Sequence, residues 1–207
     1  MKFPVPVAAL LACAVSNAAI IDRVSVIVGK RPILASAIDR DIRVTSFLNG
    51  NRPDFSPASR KQAASRLIDQ QLIRDQIRGG DYPVAPEDEA DRLLEQTARD
   101  RYANNAQLRQ ALQRAGITEA ELKDRLLWQL TVLRFIDARF RPAVVVSNEE
   151  VERYYTAHRT QLNAPLDQVR QKITDDLTGE RVNGLLDDWL RQQRRDTRVE
   201  YLEKSLQ

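Results

Sequence analysis

The chain of 207 residues is long enough for one hydrophobic core or two small ones, and its 43% hydrophobic and 29% charged residues favour a globular over a disordered protein. Its 32 Lys and Arg residues nearly balance its 29 Asp and Glu residues, which gives a formal net charge of +3. Because the two signs are interspersed along most segments, we expect a mixed-charge surface and no nucleic-acid partner.

The first residues have the pattern of a secretory signal peptide. Lys2 supplies the positive charge, residues 3–15 form an apolar stretch, and Ser16-Asn17-Ala18 is a small-x-small cleavage pattern. We therefore predict that residues 1–18 are a signal peptide, cleaved after Ala18 or Ala19. The apolar stretch is too short to span a bilayer, and no later segment is long and apolar enough, so we expect no transmembrane segment in the mature chain.

Cys13 gives a second interpretation of this segment. Leu10-Leu11-Ala12-Cys13 resembles a lipobox, which would make the protein a lipoprotein, although the apolar run before Cys13 is short. Since Cys13 is the only cysteine, the mature chain is expected to lack disulfides and a thiol nucleophile.

Residues 20–36 alternate apolar and polar side chains around a Gly-Lys-Arg-Pro turn, which predicts a β-hairpin. A two-stranded hairpin is marginally stable alone. Residues 198–202 alternate in the same way near the other end of the chain. We therefore predict that residues 24–28 or 33–34 pair with residues 199–202, which would tie the two ends of the mature chain together.

Between these segments the apolar residues recur at helical spacing, which predicts a mainly α-helical protein. Four starts are marked by capping signals: Ser36 with Asp39, Ser56-Pro57, Thr118 with Glu121, and Ser147 with Glu150. Further helices are expected from about residue 87 to 102, around residues 108–112, and after Pro165. Stops are expected at Asn49-Gly50, Gly79-Gly80, Gly116, Pro142 and near Arg195.

The longest apolar-periodic segment follows Thr118 and reaches Phe140, and a last long helix ends near Arg195. The residues expected on their buried faces include Leu122, Leu126, Leu127, Leu130, Leu133, Ile136, Ile173, Leu177, Leu185 and Trp189. Within the last helix, Gly179 and Gly184 each cost about 1 kcal/mol relative to alanine.

The sequence contains little catalytic chemistry. His158 is the only histidine, and no phosphate-binding loop, dinucleotide fingerprint or nucleophile elbow is present. Acidic pairs such as Asp175-Asp176 are typical of solvated helix faces with ion pairs. We expect no enzyme activity, no cofactor and no metal site.

Several segments, in order along the chain, resemble SurA-like periplasmic chaperones. They are residues 21–29 and 32–39 at the hairpin, 66–73 in the second helix, 117–122, 146–151, 189–190 and 199–202. No single motif is diagnostic, but the ordered series covers essentially the whole mature chain.

This resemblance implies a helical chaperone module with a small antiparallel β element. Residues 19–207 would form one domain, in which residues 163–207 return to the N-terminal part formed by residues 19–162. Members of the family usually insert parvulin-type prolyl isomerase domains, for which the residues after Leu162 are too few here. The implied function is that of an ATP-independent periplasmic holdase, which binds unfolded exported or outer-membrane proteins.

Aromatic residues near helix ends and connectors are our candidates for contact with client peptides: Phe47, Phe55, Phe140 and Tyr154. Two alternatives to the holdase remain open at this point. One is a structural or assembly subunit for one dedicated envelope partner, and the other is an atypical prolyl isomerase. A terminal strand that completes a distant sheet also allows a domain-swapped homo-oligomer.

Overall fold

The computed structural model describes residues 22–102 and 104–206. The signal segment predicted at residues 1–18, with Cys13 and both cleavage positions, lies outside these residues. The described residues form a mainly α-helical fold with a small antiparallel sheet, as predicted. The elements are β1 (Val24–Val28), β2 (Arg31–Leu34), α1 (Ala35–Leu48), α2 (Pro57–Gly79), α3 (Glu87–Arg101), α4 (Asn105–Ala115), α5 (Glu119–Arg139), α6 (Asn148–Leu162), α7 (Leu166–Asp196) and β3 (Val199–Tyr201). Short 3₁₀ turns follow α5 at Arg141–Ala143 and β3 at Lys204–Leu206.

β1 is the central strand of the sheet and pairs antiparallel with both neighbours, in the order β2-β1-β3. Val26 lies opposite Ile33 on one side and Tyr201 on the other. The predicted pairing of residues 24–28 with the C-terminal strand is therefore confirmed. Gly29 makes the turn between β1 and β2 with a φ of +59°, and its N–H donates to the carbonyl of Arg198 at 2.8 Å.

Three of the four predicted capping residues begin their helices as expected. The Ser56 hydroxyl accepts from the N–H of Ser59, and Thr118 and Ser147 each form a capping box with the glutamate three residues later. These contacts satisfy N–H groups that have no partner within the helix.

The prediction that Ser36 caps α1 is wrong. This helix begins at Ala35, with Leu34 in the capping position and no capping contact from its own side chain. Instead, the carboxylate of Asp22 accepts the N–H of Ser36 at 3.3 Å, and it also accepts the Ser36 hydroxyl. These bonds, the one from the hydroxyl first, lower the pKa of Asp22. The cap thus comes from a residue ahead of the hairpin.

Three hydrophobic clusters fill the described part of the molecule. The first lies under the sheet and joins it to α1, α2 and Leu206. The second joins α1, α3, α4 and α5 around Leu122 and Leu126. The third joins α2, α5 and α7 around Phe135, Phe140 and Trp189.

Two leucines expected on buried faces lie at the surface instead. Leu133 of α5 is 59% exposed and Leu185 of α7 is 38% exposed, so both expectations are corrected. No helix among the described residues is long and apolar enough to cross a membrane.

Asp41 links three helices through one buried carboxylate. It accepts hydrogen bonds from Nε and Nη2 of Arg66 at 3.0 and 2.6 Å, and from Nη2 of Arg125 at 2.8 Å. Its side chain is 3% exposed. The contact fixes α1, α2 and α5 relative to one another at the edge of an open surface.

Candidate functional site

An apolar groove lies over α5, with α2 on one side and α3 on the other. Its volume is about 520 Å³, and it opens to solvent. The apolar side chains that line it are Ile73, Leu93, Trp128, Leu130, Val132 and Leu133. Charged and amide side chains also line it: Arg66, Asp69, Gln70, Arg125 and Gln129. We refer to this surface as the groove.

The groove exists because α5 carries apolar side chains on more than one face. Leu122, Leu126 and Phe135 are buried in the second and third clusters. Trp128 is half-buried at the edge of the third cluster, and Leu133 is exposed. A helix with a single apolar stripe would present polar residues at these outer positions. Here the outer positions leave an apolar strip accessible to a ligand.

Ion pairs hold the charged side chains of the groove in place. Arg66 and Arg125 both bind Asp41, and Arg125 also donates to the hydroxyl of Thr45. Asp69 accepts from Nε of Arg194 on α7 at 2.7 Å, and this bond raises the pKa of Arg194. Since these charges already have partners, the apolar floor is the part of the groove left to bind a ligand.

A second pocket of about 260 Å³ adjoins the groove between α1, α2 and α5. Gln70, Arg125 and Trp128 line both cavities, so the two are neighbours on the same surface. At this junction the guanidinium of Arg74 lies over the Trp128 ring, 4.3 Å from its centroid. Across the pocket, Nε of Arg40 pairs with Oε1 of Glu121 at 2.6 Å.

The four residues predicted to contact client peptides lie apart from the groove. Phe47 stacks on Tyr102 at the edge of the second cluster, with ring centroids 6.4 Å apart. Phe55 is 41% exposed, with the guanidinium of Arg43 5.5 Å from its ring centroid.

The other two predicted residues are partly or fully enclosed by aromatic neighbours. Phe140 is 7% exposed and packs in the third cluster against Phe135 and Trp189. Tyr154 stacks on His158 of α6, with centroids 4.1 Å apart. Sequence reasoning missed the groove residues because it assigned Trp128 and Leu133 to the core. The sequence does contain a signal for the groove: apolar residues lie on more than one face of α5, so they cannot all be buried in one core.

The described residues hold no group of three or more His, Cys, Asp or Glu side chains placed to bind a metal ion. His158 contacts the carbonyl oxygen of Tyr154 through Nδ1 at 2.9 Å. The chemistry that the groove offers is noncovalent: apolar contact beside fixed charges, with one cation at the junction of the two cavities.

The sequence matches no protein-family model, and a search of curated proteins gives no match either.

Proposed function

We propose that this protein is an ATP-independent periplasmic holdase that binds unfolded exported polypeptides, outer-membrane proteins among them. The observation that carries the proposal is the groove. It is an open apolar surface on a folded, charged protein, in which Leu133 is 59% exposed beside a half-buried Trp128. Accessible apolar strips flanked by charge are typical of surfaces that bind peptides.

The size of the groove favours weak binding. A cavity of about 520 Å³ accommodates a few client side chains at a time. Burying one such side chain contributes about 1.5–3 kcal/mol, and ordering an extended client offsets part of that gain. Weak contacts of this kind permit release without ATP. Further points of contact, such as Phe55 on the loop before α2, would raise the overall affinity.

The resemblance of the ordered sequence segments to SurA-like chaperones supports the same function. In that family the C-terminal segment returns to the N-terminal module, and β3 here pairs with β1. The predicted signal peptide supports an exported location.

The test is aggregation of an outer-membrane protein diluted from urea, followed by light scattering with and without the purified protein and without ATP. We expect suppression that rises with dose. Replacing Leu133 with Ser removes an apolar contact from the groove, so about fivefold more protein should be needed for the same suppression.

The matched control is Leu185→Ser, a substitution at another exposed helical leucine, which lies outside both cavities. It should leave suppression unchanged. Absence of suppression by folded protein in large excess would overturn the proposal. Binding of one folded envelope protein at fixed stoichiometry would then point to a dedicated subunit.

A further inference from the structure

Arg74 differs from the other arginines that line the two cavities. Arg40, Arg66 and Arg125 each pair with a carboxylate. Arg74 forms no ion pair and no side-chain hydrogen bond within residues 22–102 and 104–206, and its contact is with the face of Trp128. The N–H donors of its guanidinium are therefore available to a ligand, while one face of the guanidinium contacts the Trp128 ring.

Two neighbouring arginines act on the charge of Arg74, and the pocket that it lines also contains three carboxylates. Burial comes first among the causes that lower its pKa, followed by the charges of Arg78 and Arg125. An arginine nevertheless stays protonated at neutral pH. Asp124 also lines this pocket, but it forms no ion pair with Arg74 and is not among the charges that shift its pKa. The carboxylates of Asp41 and Glu121 are already bound by other arginines.

We propose that Arg74 gives the groove a preference for polypeptide segments in which an acidic side chain lies next to apolar residues. The apolar residues would occupy the floor around Leu133, and the carboxylate would bind the guanidinium of Arg74. Because Trp128 lines both cavities, one extended segment bound over this ring would contact both. This inference rests on the proposed function and specifies the class of segment bound.

The chemistry of the guanidinium supports a carboxylate as its ligand. Its planar donors match a carboxylate in a two-bond arrangement, and such charge-assisted bonds are stronger than neutral ones. Partial burial reduces screening by water and salt. A dissolved anion could bind the same guanidinium. The experiment must therefore distinguish binding of an acidic side chain from binding of a dissolved anion.

The experiment measures fluorescence anisotropy of labelled peptides that share one apolar sequence and differ in a single adjacent residue, Glu, Gln or Lys. With the unaltered protein, we expect the Glu peptide to bind about tenfold more tightly than the Gln peptide, and the Lys peptide to bind most weakly. Inorganic phosphate at matched ionic strength should displace the Glu peptide no better than chloride.

Variants of two arginines then test the assignment. Arg74→Gln should bring the ratio of Glu to Gln affinity to about one while the affinity for the Gln peptide is kept, and Arg74→Lys should restore part of the preference. Arg141→Gln is the control, because Arg141 is exposed, lies outside both cavities and pairs with Asp137 at 2.8 Å. It should leave the ratio unchanged, and urea midpoints of all variants verify that they fold.

The outcomes separate the inference from the proposed function. Equal binding of the three peptides, a ratio that survives in Arg74→Gln, or specific displacement by phosphate overturns the inference alone. Failure of all three peptides to bind overturns the proposed function and the inference together.

Discussion

At the scale of single residues, Asp41 connects three helices through buried ion pairs. Its buried carboxylate holds Arg66 and Arg125, so it joins α2 and α5 to α1 beside the groove. Replacing Asp41 with Ala leaves Arg125, whose side chain is 15% exposed, without its carboxylate partner. Loss of one partner of a buried pair costs about 3 kcal/mol. We therefore expect a clear fall in the free energy of unfolding, measured by urea denaturation.

The control for this prediction is Asp88→Ala. Asp88 pairs with Arg92 on α3, and both side chains are about two-thirds exposed, at 65% and 66%. Exposed pairs of this kind contribute little because water and salt screen them. The urea midpoint of this variant should stay close to that of the unaltered protein. Equal midpoints for the two variants would contradict the role assigned to Asp41.

Residue type alone does not predict which side chains form the candidate site. Phe140 and Trp128 are both aromatic residues of the long apolar segment, yet Phe140 is 7% exposed and Trp128 is half-buried beside the groove. The difference arises from what packs over each ring: Phe135 and Trp189 pack against Phe140, whereas Trp128 lies at the edge of the third cluster with Arg74 over its ring. The contacts with Trp189 and Arg74 join residues that are distant along the chain, and local periodicity does not report such contacts.

At the scale of helices, glycine substitutions should act with opposite signs at two kinds of position. An added Cβ at Gly179 or Gly184, inside α7, meets no atom within 4 Å. Alanine at either position should raise the free energy of unfolding by about 0.5–1 kcal/mol, since it reduces the freedom of the unfolded chain. Gly116 ends α4 with a φ of +68°, where alanine should cost about 1 kcal/mol. Urea denaturation of the three variants checks both signs, and stabilisation by Gly116→Ala would contradict the argument.

The starts of α5 and α6 were predictable because each capping partner lies within one turn. Thr118 and Glu121, or Ser147 and Glu150, are three residues apart, so the sequence contains the whole motif. The start of α1 was assigned wrongly because its acceptor, Asp22, precedes the hairpin and reaches Ser36 only after β1 and β2 have paired. The groove escaped prediction for a related reason: the exposure of Leu133 depends on where α2 and α3 lie.

At the scale of the whole molecule, the small sheet holds the C-terminal segment against the N-terminal hairpin. β3 pairs with β1, and Leu206 is buried in the first cluster with Val26 and Val28. The pairing within one chain was predicted from the two alternating segments. Exchange of β3 between chains to form a swapped oligomer stays a prediction, which size-exclusion chromatography tests.

Glu203 binds the C-terminal segment to the N-terminal part of the molecule through Ser25 and Arg60. The stability of this contact should therefore depend on pH in the acidic range. The Glu203 side chain, 13% exposed, accepts hydrogen bonds from Ser25 and Ser205 at 3.0 and 2.9 Å and lies 3.6 Å from Arg60. Burial is the largest single influence and raises the pKa of Glu203. The hydrogen bonds from Ser205 and Ser25 and the nearby arginines lower this pKa, and together they outweigh burial, so the net shift is downward from 4.5. The unfolded chain therefore takes up the proton first as the pH falls.

The stabilisation from Glu203 should accordingly be complete above its ordinary pKa of 4.5 and disappear as the pH falls through the lower folded-state value. Glu203→Gln should lower the urea midpoint at neutral pH, and the difference from the unaltered protein should shrink in acid. The control is Glu200→Gln on β3, whose partner Arg198 is 79% exposed, so its effect at neutral pH should be smaller. A difference for Glu203→Gln that is the same at neutral and acidic pH would show that the carboxylate charge does not hold the C-terminal segment in place.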